Sequence, residues 1–309
     1  MRFYEDLLSL LQQGAVVVAT VINIKGSVPR EIGAKMLITS DRCIDTIGGG
    51  AGEAKVINYA REVLQTGQKQ SSEINLTGSP DHLIDGICGG WMQIWLERWQ
   101  GESAVSLVNQ ILTELKLGRS LTLVTPYGDR APYLSHETNI QEAAFTEILH
   151  PDPILLIIGA GHVGEQLAKI AHLAGFQIAI QDDRPEWANR ERYPQANCIY
   201  SQITHALTAL SNYPHLYIAL VTRGYRYDLE ALVTILKGER IYKYIGMIGS
   251  KRRINQVLAE AEQMGISKTK LESIYAPIGL AIGALTPAEI AVSICAELIM
   301  VRRKFTYTK

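Results

Sequence analysis

The stretch Ile154-Leu155-Leu156-Ile157-Ile158-Gly159-Ala160-Gly161-His162-Val163-Gly164 decides the fold of the second half of the chain. Five consecutive apolar residues read as a fully apolar strand, and the spacing G-x-G-x-x-G follows without a gap. Glu165–Leu173 then continues with helical spacing. In that context Gly159 permits a tight turn, Gly161 lets backbone approach a phosphate, and Gly164 lets helix pack on strand. The helix N-terminus adds unpaired N–H donors and a partial positive charge.

Working outward, Gln177–Gln181 reads as the next strand, and Asp182 at its end stands 18 residues past Gly164. That is near the place where an acidic side chain meets a ribose hydroxyl in a dinucleotide-binding unit. Further strands at Leu216–Val221 and Tyr244–Ile248 alternate with helical segments, which implies a parallel sheet with helices on both faces. The expected fold class is therefore α/β, with a C-terminal Rossmann-type domain over 151–309, holding an anionic, phosphate-bearing ligand, and a smaller N-terminal α+β domain over 1–150. His162, in the first helical turn, either contacts that ligand or caps the helix.

Several strands end in basic residues. Arg184 follows Asp182-Asp183, Arg223 and Arg226 follow Leu216–Val221, and Gly249-Ser250-Lys251-Arg252-Arg253 follows Tyr244–Ile248 while starting a helix. Ligands of open α/β sheets sit outside the carboxyl ends of the strands, so these groups are expected to converge there. Each alone is an ordinary surface cation. Their shared position raises Arg223 and Lys251, with the backbone of Gly249 and Ser250, as candidates for a second anionic group.

The first half is organised around glycines. After an amphipathic N-terminal segment, the β-branched run Ala15–Ile24 breaks at Gly26-Ser27-Val28-Pro29-Arg30, and a second apolar run, Ala34–Thr39, follows. Gly48-Gly49-Gly50-Ala51-Gly52 opens onto the helical Glu53–Gln65, and Gly86-Ile87-Cys88-Gly89-Gly90 precedes the apolar Trp91–Leu96. Residues 101–118 read as helix and Ser120–Thr125 as strand, while 126–153 lacks periodicity and reads as a linker.

Bulk properties narrow the class. Thirty Lys and Arg against 31 Asp and Glu leave a net charge of −1, so no global field draws the chain to nucleic acid or an anionic membrane. Four scattered cysteines, Cys43, Cys88, Cys198 and Cys295, fit neither a zinc knuckle nor a disulfide framework and suit a reducing, cytoplasmic setting. Glu5 and Asp6 stand where a signal peptide would carry positive charge. The apolar run Ala281–Val301 is interrupted by Pro287, Glu289 and Glu297, which reads as a buried helix rather than a membrane span.

These motifs, in this order, resemble the XdhC/CoxI family of accessory proteins for xanthine dehydrogenase and carbon monoxide dehydrogenase. The resemblance rests on Gly26–Met36, Thr46–Gly50 with Glu53, and Cys88-Gly89-Gly90 in the first half. In the second half it rests on Gly159–Val163, Asp182-Asp183-Arg184, Thr222-Arg223-Gly224, Gly246–Lys251, Ala276–Leu280 and Thr286–Ala291. It implies a chaperone rather than a turnover enzyme. Such a protein binds the molybdenum cofactor in its molybdopterin form, works with a cysteine desulfurase that supplies the terminal sulfur, and delivers the cargo to a molybdenum hydroxylase apo-enzyme, as a homodimer.

Under this reading the cofactor-binding candidates are Arg30, Gly49, Gly50, Glu53, Gly159, Gly161, His162, Gly164, Asp182, Arg184, Arg223, Gly249, Ser250 and Lys251. Cys88, a thiol among glycines, is the candidate soft ligand for molybdenum, against the alternative of a small buried hydrophobe. Cys43, Cys198 and Cys295 read as packing residues, and Glu53 alternatively as a first-turn acid placed by the helix dipole. The chain departs from its resemblance at Tyr225, where many relatives carry histidine, and at Ala281, where they carry aspartate. Two other functions compete: an NAD(P)-dependent oxidoreductase using Gly159–Gly164 and Asp182, and a recruitment scaffold that binds nothing small.

Overall fold

The computed structural model describes residues 1–76, 89–137, 140 and 142–306, with side chains through Arg303. It contains two compact units, Met1–His150 and Pro151–Lys309.

The first unit runs α1 (Arg2–Leu11), β1 (Val16–Lys25), β2 (Lys35–Ile38), β3 (Cys43–Asp45), α2 (Gly50–Thr66), β4 (Gln70–Asn75), β5 (Trp91–Trp99), α3 (Gly101–Lys116), β6 (Leu121–Pro126), β7 (Tyr133–Ser135) and β8 (Ala144–Leu149). An antiparallel sheet of order β3-β2-β1-β5-β4 forms its centre. Because strand side chains alternate, β1 feeds two cores. Val17, Ala19 and Val21 pack with Val56, Ala60 and Val63 of α2. Val16 and Val18 pack with Leu7, Leu10 and Leu11 of α1 and Val108, Ile111 and Leu115 of α3. Each fully buried aliphatic side chain there contributes about 1.5–3 kcal/mol.

A second sheet of order β7-β6-β8 corrects the linker expected at 126–153. The reason lies in its edges: β7 has three residues, and β8 has Phe145 buried among exposed and half-buried neighbours, so neither makes an apolar run.

The second unit runs β9 (Ile154–Ile158), α4 (His162–Leu173), β10 (Gln177–Gln181), β11 (Ala196–Tyr200), α5 (Ile203–Ala209), β12 (Leu216–Leu220), α6 (Tyr225–Leu236), β13 (Tyr244–Met247), α7 (Lys251–Gln263), α8 (Lys268–Glu272) and α9 (Pro287–Thr306). All its strands are parallel, in the order β11-β10-β9-β12-β13. Leu167, Ala168 and Ala171 of α4 join Ala291, Ile294 and Leu298 of α9 on one face, around Leu155 and Ile157. Leu232 and Ile235 of α6 join Ile254 and Val257 of α7 on the other, around Leu156 and Ile158. This is the Rossmann-type unit expected from the sequence, with the strand order reversing between β9 and β12, where ligand crevices open.

The C-terminal helix is shorter at its start than the apolar run suggested. Pro287 begins it, Glu289 Oε2 accepts the amides of Leu285 at 2.8 Å and Thr286 at 2.9 Å, and Thr286 Oγ1 accepts the Glu289 amide at 3.3 Å. This reciprocal cap leaves Ala281, Ile282, Gly283 and Leu285 outside the helix and exposed. Among the described residues no helix is long and apolar enough to cross a membrane.

Candidate functional site

The three fingerprint glycines have three separate reasons. Gly159 sits at φ +109°, and a Cβ there would lie 2.5 Å from the Val221 carbonyl oxygen. A Cβ on Gly164 would lie 2.3 Å from the Gly159 carbonyl oxygen, so only glycine lets α4 close onto β9. Gly161, the N-cap of α4, has an ordinary φ of −77°, and a Cβ there would meet nothing within 4 Å. No side chain caps this helix end. Its first-turn amides therefore have no side-chain acceptor, and the space beside Gly161 is open, the condition for receiving an anion.

Asp182 is turned inward. Its Oδ2 accepts the Ala160 amide at 2.8 Å and Arg184 Nη2 at 2.9 Å, while Oδ1 accepts Arg184 Nε at 2.9 Å and the Arg184 amide at 3.1 Å. Burial alone would raise this carboxyl, but the bonds from Arg184 and from the Ala160 and Arg184 amides outweigh it and hold the group at about 2. All four of its lone-pair sites are used within the chain, so a ribose hydroxyl would have to displace a bond already made. Arg184 in turn lies 4.9 Å from the Trp187 ring, which also meets Arg192 at 4.4 Å and the His162 ring edge-on at 5.5 Å. His162 thus packs against Trp187 beside the open helix end, and it is exposed.

Arg223 bridges two strand ends. Its Nη1 and Nη2 donate to Asp183 at 2.8 and 3.0 Å, and its guanidinium stacks 3.8 Å from the Tyr227 ring centre. The Arg223 and Asp183 side chains border a cavity of about 400 Å³ whose wall also holds Gly159, Ser201, Thr204, Tyr227 and Thr234. That volume lies within the usual range for small-molecule sites, ~300–1,000 Å³.

Ser250 caps α7, its Oγ accepting the Arg253 amide at 3.3 Å, with Gly249 before it and the exposed Lys251 as the first helical residue. Arg253 is spent elsewhere: its guanidinium pairs with Asp228, a fully buried carboxylate that also accepts Thr222 Oγ1 at 2.6 Å. Burial pushes the Asp228 carboxyl up, against the lowering effect of Thr222 and Arg253. Sequence reasoning missed Asp228 and Trp187. An acid in the first turn of the helix after Thr222-Arg223-Gly224, and an aromatic flanked by Arg184 and Arg192, were the available signals.

In the first unit the structure brings three glycine motifs together. A Cβ on Gly48 would lie 2.6 Å from Pro29 Cγ, and one on Gly90 would lie 2.1 Å from the Ser27 carbonyl oxygen. The loops Gly26–Arg30 and Gly89-Gly90 are thus packed backbone to backbone, and Gly48 lies against the Pro29 ring. Glu53 folds back into the second of them: its Oε2 accepts the amides of Ile47 at 3.1 Å and Gly49 at 3.0 Å, and the Thr46 hydroxyl. Gly49 and Gly50 have open space where a Cβ would project, and Arg30, next in sequence to Pro29, is exposed.

Cys88 lies outside the described residues. Of the others, Cys295 is buried as expected of a packing residue and Cys198 is half-buried, whereas Cys43 is exposed on the edge strand β3. Tyr225 begins α6 with its hydroxyl buried and unpartnered, and Ala281 is exposed. Among the described residues no group of three His, Cys, Asp or Glu could hold a metal ion.

With this geometry in hand, comparison with known proteins is decisive. Family models match the chain over residues 9–75, as the XdhC and CoxI family, and over residues 155–298, as the XdhC Rossmann domain. The chain belongs to the XdhC and CoxI family. It is 26% identical over 306 residues to the uncharacterized protein YqeB of Escherichia coli, covering 98% of this chain and 46% of that protein. It thus spans about half the length of that relative. It is 26% identical over 341 residues to a Bacillus subtilis protein named as a probable xanthine dehydrogenase subunit, covering 98% of both. It is 24% identical over 296 residues to the molybdenum cofactor insertion chaperone PaoD of Escherichia coli, covering 94% of this chain and 84% of that one. A solved protein from Bacillus halodurans, described as a xanthine dehydrogenase, superimposes with a TM-score of 0.82 at 25% identity, over 97% of this chain and 96% of its own.

Proposed function

We propose that this XdhC and CoxI family member binds the phosphate-bearing molybdenum cofactor at its Rossmann-type unit and passes it to a molybdenum hydroxylase apo-enzyme. The observation that carries the reading is the uncapped α4 N-terminus at Gly161, with open space before it, beside a cavity at the strand ends. A terminal phosphate fits that end, where backbone amides and the helix dipole favour an anion. Arg223, Lys251 and the Gly249-Ser250 turn are the further anion contacts of this unit; within the first unit, Arg30 and Gly50 remain candidates in their own right, while the Gly49 amide is already taken by Glu53. Under this reading the metal arrives with the cofactor's own dithiolene ligands.

Cys88 is the candidate soft thiolate ligand for the cofactor's molybdenum on sequence grounds alone, a thiol followed by two glycines. A cysteine desulfurase is the partner expected to supply the terminal sulfur, and a homodimer the expected assembly. The names of the Bacillus subtilis and Escherichia coli relatives support this class of role.

An NAD(P)-dependent oxidoreductase is disfavoured by one observation: Asp182, the acid that would hold a ribose, is saturated by Arg184 and Ala160. Purification under anaerobic conditions, followed by oxidation and fluorescence of the released pterin, is expected to show pterin bound to the wild-type protein and less to Cys88→Ser. Stoichiometric NAD(P) in place of pterin would contradict the proposal, and a protein with neither would point to a recruitment scaffold.

A further inference from the structure

We infer that the Asp183–Arg223 ion pair is a self-occupied anion contact, in which Asp183 holds the place that a ligand phosphate takes on Arg223. The inference rests on the reading of the Rossmann-type unit as a phosphate site. Its starting point is topology. β9 lies between β10 and β12, with Ile158 in register with both Gln181 and Leu220. Asp183 leaves the end of β10 and Arg223 leaves the end of β12, so a bidentate bridge at 2.8 and 3.0 Å joins two strands about 10 Å apart and crosses the end of β9. What lies there is the turn Gly159-Ala160, which leads into Gly161.

The cavity wall includes Gly159, Asp183 and Arg223 but not Gly161. A ligand seated in that cavity and reaching for the α4 N-terminus passes over Gly159, along the span of the bridge. Arg223 is held in place from below by Tyr227 at 3.8 Å and its Nη1 is 3.7 Å from Asp182, so it is a cation already oriented at the strand ends. Its two acids differ in kind. Asp182 is committed to Arg184 and Ala160, with a side chain 5% exposed, whereas Asp183 is 58% exposed and bonds, among these groups, to Arg223 alone. The bond to Asp183 is therefore the exchangeable one. A guanidinium fork accepts carboxylate and phosphate with the same two parallel N–H donors, so the exchange keeps Arg223 in position and costs only the pairing with a solvated carboxylate. When phosphate arrives, Asp183 returns to water.

This assignment gives an opposite sign to two neighbouring charges, which a merely structural ion pair would not. Titration with inorganic pyrophosphate at low salt, followed by calorimetry, is the test, on the full chain and on Asp183→Asn, Arg223→Gln, the double variant and Gly161→Val. An exposed pair is worth up to ~1 kcal/mol, so Asp183→Asn is expected to bind about fivefold more tightly than wild type. Arg223→Gln is expected to bind at least tenfold more weakly, as a lost charge-assisted bond of ~1.5–3 kcal/mol requires, and the double variant to match Arg223→Gln. If binding is lost in Gly161→Val but Asp183→Asn is no tighter than wild type, the ion pair is only structural and the phosphate site stands. If binding is indifferent to Gly161→Val, or if neither wild type nor Asp183→Asn binds, the phosphate site itself falls and this inference with it.

Discussion

Two glycine-rich loops lead into helices in this chain, one before α2 and one before α4, and they treat their amides in opposite ways. Before α2 the loop closes on the chain's own carboxylate, with Glu53 Oε2 taking the amides of Ile47 and Gly49. Before α4 the corresponding carboxylate, Asp182, takes the Ala160 amide, leaving the α4 N-terminus at Gly161 without a side-chain cap. Glycine thus marks where backbone can come close to something, and the neighbouring acid decides whether that something is internal. The first loop is a finished structural knot at those amides, and the second is the loop we propose as an anion receiver.

The largest effect expected from this contrast lies within the second loop itself. Gly159→Ala and Gly164→Ala each drive a Cβ against backbone, at 2.5 and 2.3 Å, and at Gly159 add a positive φ. Each is expected to lower unfolding free energy by about 3 kcal/mol or more. Gly161→Ala, with nothing within 4 Å, is expected to change it by less than about 0.5 kcal/mol. Urea unfolding of the three variants checks this. Equal stabilities would mean that the three glycines are interchangeable and that the turn is not built as described.

Asp182 gives the next effect. Its folded-state carboxyl is held at about 2, below the ordinary value of 3.8, so the stability it contributes is fully present above pH ~4 and is lost as pH falls toward 2. The amount is roughly 2 kcal/mol. In Asp182→Asn this part of the acid dependence should vanish, and a variant whose acid limb parallels wild type between pH 4 and 2 would remove Asp182 from its role behind the turn.

The smallest effect belongs to the first loop. Glu53→Ala leaves the amides of Ile47 and Gly49 and the Thr46 hydroxyl without their acceptor, in a partly solvated place, which is expected to cost about 1–2 kcal/mol. Thermal unfolding reads the loss. A neutral result would make Glu53 an ordinary first-turn acid and erase the contrast between the loops.

Much of the second unit was legible because its signals are dense: an unbroken apolar strand, three glycines at fixed offsets and an acid after the next strand. Its α/β class and four of its five strands were legible in this way, whereas β11, half-exposed along most of its length, makes no apolar run and was not read. What the sequence could not carry was the partner of each charge. Arg184, Arg223 and Arg253 read alike as cations at strand ends, yet Arg184 is committed to Asp182, Arg253 to the buried Asp228, and only Arg223 pairs with a mostly solvated acid. The first unit was less legible because its β7 and β8 are short and half-exposed, so no apolar periodicity separated them from a linker. Nor does spacing alone say that Pro29 abuts Gly48 or that Ser27 abuts Gly90; those contacts join residues far apart in the chain.

The central claim is that the open end of α4 receives the phosphate of the molybdenum cofactor, and anaerobic titration of the full chain with molybdopterin tests it most directly when wild type is set beside Gly161→Val. The valine fits the backbone, since Gly161 has φ −77° and no atom within 4 Å of a Cβ, so the fold is expected to be retained and confirmed by an unchanged circular dichroism spectrum and melting temperature. Its branched side chain stands in the space before the helix amides. Saturable binding by wild type is expected, weakened at least tenfold in Gly161→Val. Equal affinity of the two folded proteins for molybdopterin would contradict it.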